Sequence, residues 1–278
     1  APRKEEIKEE IRIFAAQGEY EPVYISIYTL KDLGICKLAL EYLINEDGKR
    51  IASENIDIRV TQYKLKLKGK KVYEVRGELL REQSKIIIEN GITRQFWITF
   101  KIPDGTLAGD YRGNLHFKPS KGEEQIVTLK VNVLPFKLAE PDIALGMFYF
   151  SPAYLKWYKD TQKLYWAEVE KHLWDLKEHN MNSLAIDISP AIKKVDDGGK
   201  VELDFGELDR FIEIYKRSGF TKPIVGYGMS NLIEQAERMS KGDEEKFSTI
   251  LQNTYKAIKD HVESIYGQEI IFCLADEI

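Results

Sequence analysis

The chain has 278 residues, of which 43% are hydrophobic and 31% charged, so it is neither a disordered nor a fibrous protein. Its 41 Lys and Arg stand against 45 Asp and Glu, and the net charge of −4 gives no electrostatic footprint for nucleic acid or an anionic membrane surface. No apolar run approaches the roughly 20 residues that span a bilayer. The length fits one large domain or two ordinary ones.

Cysteines and aromatic residues add further bounds. Cys36 and Cys273 lie far apart among apolar neighbours, which favours buried free thiols over a disulfide or a zinc site. No signal peptide is visible, but a removed one leaves no trace, so the compartment stays open between extracellular, periplasmic and cytoplasmic. The 15 Tyr, 12 Phe and 4 Trp suit stacking on flat apolar faces, including those of sugars.

The first half of the chain has the period-two pattern of β structure. Between residues 11 and 136, short alternating runs are separated by turn signals such as Asp47-Gly48 and Asp104-Gly105. One run places three β-branched side chains on a single face: Val23, Ile25 and Ile27. Several short strands with almost no helical period predict an antiparallel β-sandwich over residues 1–139. This half contains no catalytic constellation.

After Pro135 the pattern changes to strands that alternate with helices. Four strands are predicted, at 144–150, 183–188, 223–227 and 269–274, with a hairpin-like excursion at residues 197–199. The apolar stripe of the longest helix is Phe247, Leu251, Tyr255, Ile258, Val262 and Ile265. Strict alternation of strands and helices predicts a parallel sheet with helices on its faces.

A complete (β/α)₈ barrel needs about 250 residues. Residues 140–278 are therefore predicted to form the first half of a TIM-type barrel, about four βα units, with its C-terminal part apparently missing. The bare edges of such a half would be covered by a continuing chain or by pairing of two halves, which makes a homo-oligomer possible; an open four-stranded sheet is the remaining alternative. We favour a continuing chain.

In parallel α/β folds the active site lies at the C-terminal ends of the strands. Those ends carry the candidate site residues Tyr149, Asp187, Tyr227, Asp276 and Glu277. Carboxylates with aromatic neighbours suit glycoside cleavage, in which an acid protonates the leaving oxygen and negative charge supports an oxocarbenium-like centre. The pair Asp276-Glu277 directly follows a buried apolar run, where charge is unexpected unless it lies at the mouth of a site; a solvated loop start is the alternative.

The other candidates each have a structural alternative. Asp187 either orients substrate or caps the excursion that follows it, and the tyrosines Tyr149 and Tyr227 either bind sugar or fill the barrel mouth. His172 and His179 lie two helical turns apart, roughly 10 Å, too far to share a metal. With no phosphate loop, dinucleotide fingerprint or Ser/His/Asp motif, no cofactor and no metal site is predicted.

Several short motifs resemble glycoside hydrolase family 123 and its uncharacterised relatives. The N-terminal half is similar at Gln17–Pro22, Phe96–Thr99 and Gly109–Gly113. The stretch Leu176–Asn182 is similar to the end of that family's first barrel helix, with Asn180 where glycine is usual. The dipeptide Asp276-Glu277 resembles the catalytic pair, although Ile278 stands where relatives often have proline.

The resemblance implies a β-sandwich followed by a barrel that cleaves β-linked N-acetylhexosamine, typically N-acetylgalactosamine, a glycosidase of EC class 3.2.1. The substrate's acetamido oxygen would be the nucleophile, Asp276 would orient and stabilise the acetamido group, and Glu277 would act as general acid and then base. The half barrel alone is expected to be inactive. Two alternatives remain open: a retaining two-carboxylate barrel glycosidase with Glu277 as acid/base, and a non-catalytic carbohydrate-binding module.

Overall fold

The computed structural model describes residues 3, 6–69, 71–149, 162–187, 189–227 and 230–273. The chain divides into two compact units, Ala1–Ala139 and Glu140–Ile278, and each has a hydrophobic core of its own. Among the described residues no helix has both the length and the apolar character to cross a membrane.

The described part of the first unit is built from strands and one short 3-10 turn at Ser53–Asn55. The strands are β1 (Glu10–Gln17), β2 (Tyr20–Tyr28), β3 (Gly34–Ala39), β4 (Tyr42–Ile44), β5 (Arg50–Ala52), β6 (Ile56–Lys68), β7 (Val72–Arg81), β8 (Lys85–Ile88), β9 (Thr93–Lys101), β10 (Gly109–Pro119) and β11 (Gln125–Lys137).

These strands form two sheets that share one core. The larger sheet has the order β1-β11-β10-β3-β8, with β4 pairing both β10 and β5, and the smaller has the order β2-β9-β6-β7. Buried side chains from both sheets, such as Leu38 and Leu129 from one and Phe96 and Ile98 from the other, belong to a single cluster. Cys36 lies in that cluster as a buried free thiol, as predicted, whereas the side chain of Cys273 is only partly buried.

The prediction of a purely antiparallel unit is wrong at one pairing. Strand β1 runs parallel to β11, with Ile11 opposite Leu129 and Ile13 opposite Val131. The reason is connectivity: a short hairpin forces neighbouring strands to be antiparallel, but β1 and β11 are joined by the whole of the unit, so either direction is open to them. The other pairings of the unit are antiparallel.

The second unit mixes helices and strands. Its strands are β12 (Phe148–Tyr149), β13 (Ala185–Ile186), β14 (Ala191–Val195), β15 (Val201–Asp204), β16 (Ile224–Gly226) and β17 (Ile270–Phe272). Its helices are α1 (Gln162–Glu178), α2 (Gly206–Arg217), α3 (Ser230–Ser240) and α4 (Glu244–Tyr266). Four of the strands form a parallel sheet of order β12-β13-β16-β17, and β14 and β15 form the predicted hairpin.

Helix α4 packs through a slightly different stripe from the one predicted. Its buried residues are Ile250, Thr254, Ile258 and Val262. These four residues follow one another at intervals of four and form the centre of the buried face. Ile265 lies at the margin of that face and is 61% exposed, so the prediction that it is buried is wrong. Asp243 caps the start of the helix, because its carboxylate accepts a hydrogen bond from the Lys246 amide, and Gly267 in the left-handed conformation caps its end.

At a coarse level the predicted fold is confirmed: a β unit precedes an α/β unit whose sheet is parallel. The assignment of the first unit to an antiparallel sandwich class and of the second to half of an eight-stranded barrel stays a prediction.

Candidate active site

The register of the parallel sheet decides which side chains share a face. Phe148, Ala185, Val225 and Ile271 occupy one row across the four strands, and Tyr149, Ile186, Gly226 and Phe272 occupy the next. Because successive side chains alternate between faces, the two rows point to opposite sides of the sheet. The second row faces the helices: Tyr149 and Ile186 belong to their buried cluster, and Phe272 packs against it. In the first row Phe148 and Ile271 are about half exposed.

One residue further along, the sheet reaches its C-terminal edge at Asp187, Tyr227 and Cys273. Main-chain bonds extend the ladder to this level, since the Tyr227 amide donates to the Ile186 carbonyl at 2.8 Å and the Cys273 amide donates to the Gly226 carbonyl at 2.9 Å. By alternation these three residues point to the same face as Phe148. The ring of Tyr227 lies 4.5 Å from that of Phe148, centroid to centroid, which agrees with this placement.

This edge of the sheet therefore combines a carboxylate, a phenol and aromatic rings, which are groups that suit the binding of a sugar. Adjacent strands in a sheet lie about 4.8 Å apart, so the carboxylate of Asp187 and the phenol of Tyr227 start from neighbouring positions. The tilted pair of Phe148 and Tyr227 presents aromatic surface beside them, and Asp187 is exposed. This is a wall of apolar rings with polar groups at its rim.

Tyr149 has a different setting from the other predicted binding residues. Its side chain is 7% exposed, its hydroxyl lies 3.3 Å from Nδ1 of His172, and its ring packs against Phe211 of α2. These contacts belong to the layer between sheet and helices and favour its packing role. The aromatic residue on the open face is Phe148, which sequence reasoning passed over.

The predicted catalytic pair Asp276 and Glu277 lies outside the described residues. The described chain ends at Cys273, directly beyond β17. Within the described residues, no group of three or more His, Cys, Asp and Glu side chains is arranged to hold a metal ion.

Sequence reasoning also missed the residue that anchors the first strand of the sheet. Asn182 is fully buried; its Oδ1 accepts from the Leu145 amide at 2.7 Å, and its Nδ2 donates to the carbonyls of Pro141 and Ile143 at 3.1 Å. The main chain at Gly146 lies close to the main chain at Ser183, because a Cβ at Gly146 would be only 1.9 Å from the Ser183 carbonyl oxygen. The signal was present, because Asn182 ends the stretch Leu176–Asn182 singled out above, but that motif carried no role.

The second unit thus has a parallel α/β sheet with a carboxylate and aromatic rings at the C-terminal edge of its strands, the edge at which the active sites of such folds lie. Comparison with known proteins agrees with the resemblance noted in the sequence. Residues 152–271 match the profile of the glycoside hydrolase 123 catalytic domain, and the predicted resemblance to glycoside hydrolase family 123 is confirmed.

Among solved structures, the chain is similar to a family 123 glycoside hydrolase from Clostridium perfringens, an enzyme studied for glycolipid glycan hydrolysis. The TM-score is 0.72 at 16% identity, over 92% of this chain and 52% of that one. The chain thus spans about half the length of that enzyme. A Bacteroides ovatus family 5 xyloglucanase gives a TM-score of 0.28 at 9% identity, over 97% of this chain and 54% of that one, too low to indicate a shared fold. No curated protein matches the sequence significantly.

The register leads to a prediction that separates the two neighbouring aromatic residues of β12. In the longest natural form of the protein, replacing Phe148 with Ala should raise KM for a glycoside substrate about tenfold, the value of one lost stacking contact of about 1–1.5 kcal/mol, with little loss of stability. Replacing Tyr149 with Ala should instead lower the free energy of unfolding by about 3 kcal/mol, because it empties a buried site. Steady-state kinetics and urea unfolding of both variants check this, and equal KM changes in stable proteins would contradict it.

Proposed function

We propose that the protein is a glycoside hydrolase that releases β-linked N-acetylhexosamine, with N-acetylgalactosamine as the preferred sugar. The observation that carries the proposal is the match of residues 152–271 to the family 123 catalytic domain. The aromatic and carboxylate groups at the C-terminal edge of the parallel sheet support it, because sugar subsites combine a flat apolar wall with polar groups that bind hydroxyls.

In the proposed mechanism the substrate supplies its own nucleophile. The acetamido oxygen attacks C1 and forms a bond there while the bond from C1 to the leaving oxygen breaks, and Glu277 gives its proton to that oxygen. Asp276 orients the acetamido group and stabilises the positive charge that it acquires. Water then attacks C1, Glu277 takes a proton from it, and the ring formed by the acetamido group opens.

The described residues have supporting roles in this proposal. Phe148 and Tyr227 hold the apolar face of the sugar ring, and Asp187 accepts hydrogen bonds from its hydroxyls. Tyr149 supports Phe148 from the opposite face of β12 through its packing on the helices. The only ligand that this mechanism requires is the carbohydrate substrate, and no step requires a cofactor.

A panel of aryl β-glycosides tests the proposal. The longest natural form of the protein should cleave aryl N-acetyl-β-galactosaminide and, more slowly, the N-acetyl-β-glucosaminide. The plain galactoside and glucoside should stay intact, because they lack the acetamido group that serves as the internal nucleophile. Release of the aryl alcohol measures each rate. Cleavage of the plain glycosides would favour a retaining two-carboxylate enzyme, and sugar binding without any turnover would favour a carbohydrate-binding module.

A further inference from the structure

The first unit has a cleft on the outer face of its larger sheet, far in sequence from the residues discussed above. Strand β10 pairs with β3 at His116–Pro119 and with β4 at Arg112, so the ladder on that side is interrupted at Gly113–Leu115. The interruption opens a cleft of about 330 Å³, which falls in the range of small-molecule sites, about 300–1,000 Å³. Its walls are Glu41, Tyr42, Ile44, Arg112, Gly113, Asn114 and His116.

The cleft is held open by a close backbone approach. A Cβ at Gly113 would lie 2.6 Å from the carbonyl oxygen of Tyr42 and 2.8 Å from Cδ2 of Leu43. Only glycine therefore lets the segment at Tyr42 come this near to β10, with Leu43 fully buried beneath it.

Its side chains combine an aromatic ring with groups of both hydrogen-bonding types. The ring of Tyr42 is partly exposed, and the guanidinium of Arg50 lies 4.4 Å from its centroid. Glu41 supplies acceptors, Asn114 supplies both a donor and an acceptor, and Arg112 supplies a planar fork of donors. Rings beside such polar groups are suited to sugars, whose faces are apolar and whose edges carry hydroxyls.

The charged side chains at the cleft favour an acidic sugar over a neutral one. In register across four strands lie Arg50, Ile44, Arg112 and Lys130, so three of four positions in this row are cationic. Lys130 pairs with Glu10. Among the described residues Arg112 forms no ion pair, which leaves one guanidinium group in the wall of the cleft for an external anion. Arg50 forms no ion pair with a described residue either, but it lies outside the wall and stacks on the ring of Tyr42. Guanidinium binds carboxylate with two parallel hydrogen bonds.

We propose that this cleft binds an acidic sugar, with its ring against Tyr42 and its carboxylate on Arg112. Each residue involved belongs to the first unit, so the proposal does not rest on the hydrolysis proposed for the second unit. The occupant would be a uronate or another carboxylated sugar within a longer glycan.

Titration of the full chain with glucuronate, followed by NMR or calorimetry, tests the proposal, with glucose and acetate as reference ligands. Glucuronate should saturate the site below about 10 mM and bind at least about tenfold tighter than glucose, which lacks the charge, or acetate, which lacks the ring. Arg112→Gln should weaken glucuronate binding about tenfold, and Tyr42→Ala should weaken it as well.

Arg76→Gln is the control, because Arg76 is also an exposed arginine of the first unit but lies on β7, outside the cleft, where it pairs with Glu74, and its substitution should leave binding unchanged. Thermal unfolding of each variant verifies its fold. The proposal is overturned by any of three results: no saturable binding of glucuronate, equal binding of glucuronate and acetate, or an undiminished affinity in folded Arg112→Gln.

Discussion

Replacing Glu277 with Gln should lower kcat/KM for a phenyl N-acetyl-β-galactosaminide about 10³-fold, because the phenolate must then leave without a proton. For the 2,4-dinitrophenyl glycoside the loss should be only about tenfold, since that leaving group is stable as an anion. The parameter kcat/KM reports on steps up to the first irreversible one, here the cleavage of the glycosidic bond. Comparing the two substrates in the longest natural form of the protein measures the proton donation by itself.

Glu269→Gln provides a matched control for this experiment. Glu269 is exposed and directly precedes β17, whereas Asp276 and Glu277 follow that strand in the sequence, and the substitution removes the same charge. Its kcat/KM should stay at the level of the unsubstituted protein for both substrates. If Glu277→Gln reduced both substrates by the same factor, the general-acid role of Glu277 would be wrong.

Asp276→Asn should behave differently within the same comparison. The proposed role of Asp276 is to stabilise the attacking acetamido group, which is the same in both substrates. The loss should therefore be similar for the phenyl and the dinitrophenyl glycosides, and large for both. This contrast between the two variants distinguishes assistance to the nucleophile from assistance to the leaving group.

Where a segment is amphipathic, the sequence was sufficient to predict its place in the fold. In α2 the apolar residues Leu208, Phe211, Ile212 and Tyr215 recur at helical spacing in the sequence and are all buried, and Gly219 follows the helix with φ of 87°. The side chains on the opposite face are charged, so only one orientation buries apolar surface. The hairpin of β14 and β15 was predicted equally well, because glycines mark its turn.

The faces of β12 could not be predicted in this way. The segment Met147-Phe148-Tyr149 continues into another aromatic residue, so every position is apolar and the period of two carries no signal. Only the pairing of Phe148 with Ala185, and of Tyr149 with Ile186, settles which side faces the helices. For this reason sequence reasoning selected Tyr149 and missed Phe148.

The position of β12 depends in turn on a buried amide. The segment before it has little regular structure, and three of its main-chain groups, at Pro141, Ile143 and Leu145, are bound by the side chain of Asn182. The main chain of Asn182 adds to this connection, because its amide donates to the Leu145 carbonyl at 2.9 Å. An amide is the one side-chain type that can accept from one of these groups and donate to two others at once.

Asn182→Ala should therefore lower the free energy of unfolding of the second unit by about 3 kcal/mol, because it leaves one donor and two acceptors without their partner and opens a cavity. Three of the four tryptophans, Trp157, Trp166 and Trp174, belong to that unit, so urea unfolding followed by tryptophan fluorescence reports mainly on it. Asn231→Ala, at an exposed position of α3, is the matched control and should change the midpoint little.

Asn182→Asp should be at least as harmful as Asn182→Ala, since a carboxylate keeps the bond from the Leu145 amide but turns both donated bonds into contacts between acceptors. A stable Asn182→Asp protein would mean that the carbonyls of Pro141 and Ile143 are satisfied by water, and that the Leu145 bond alone fixes the start of the sheet.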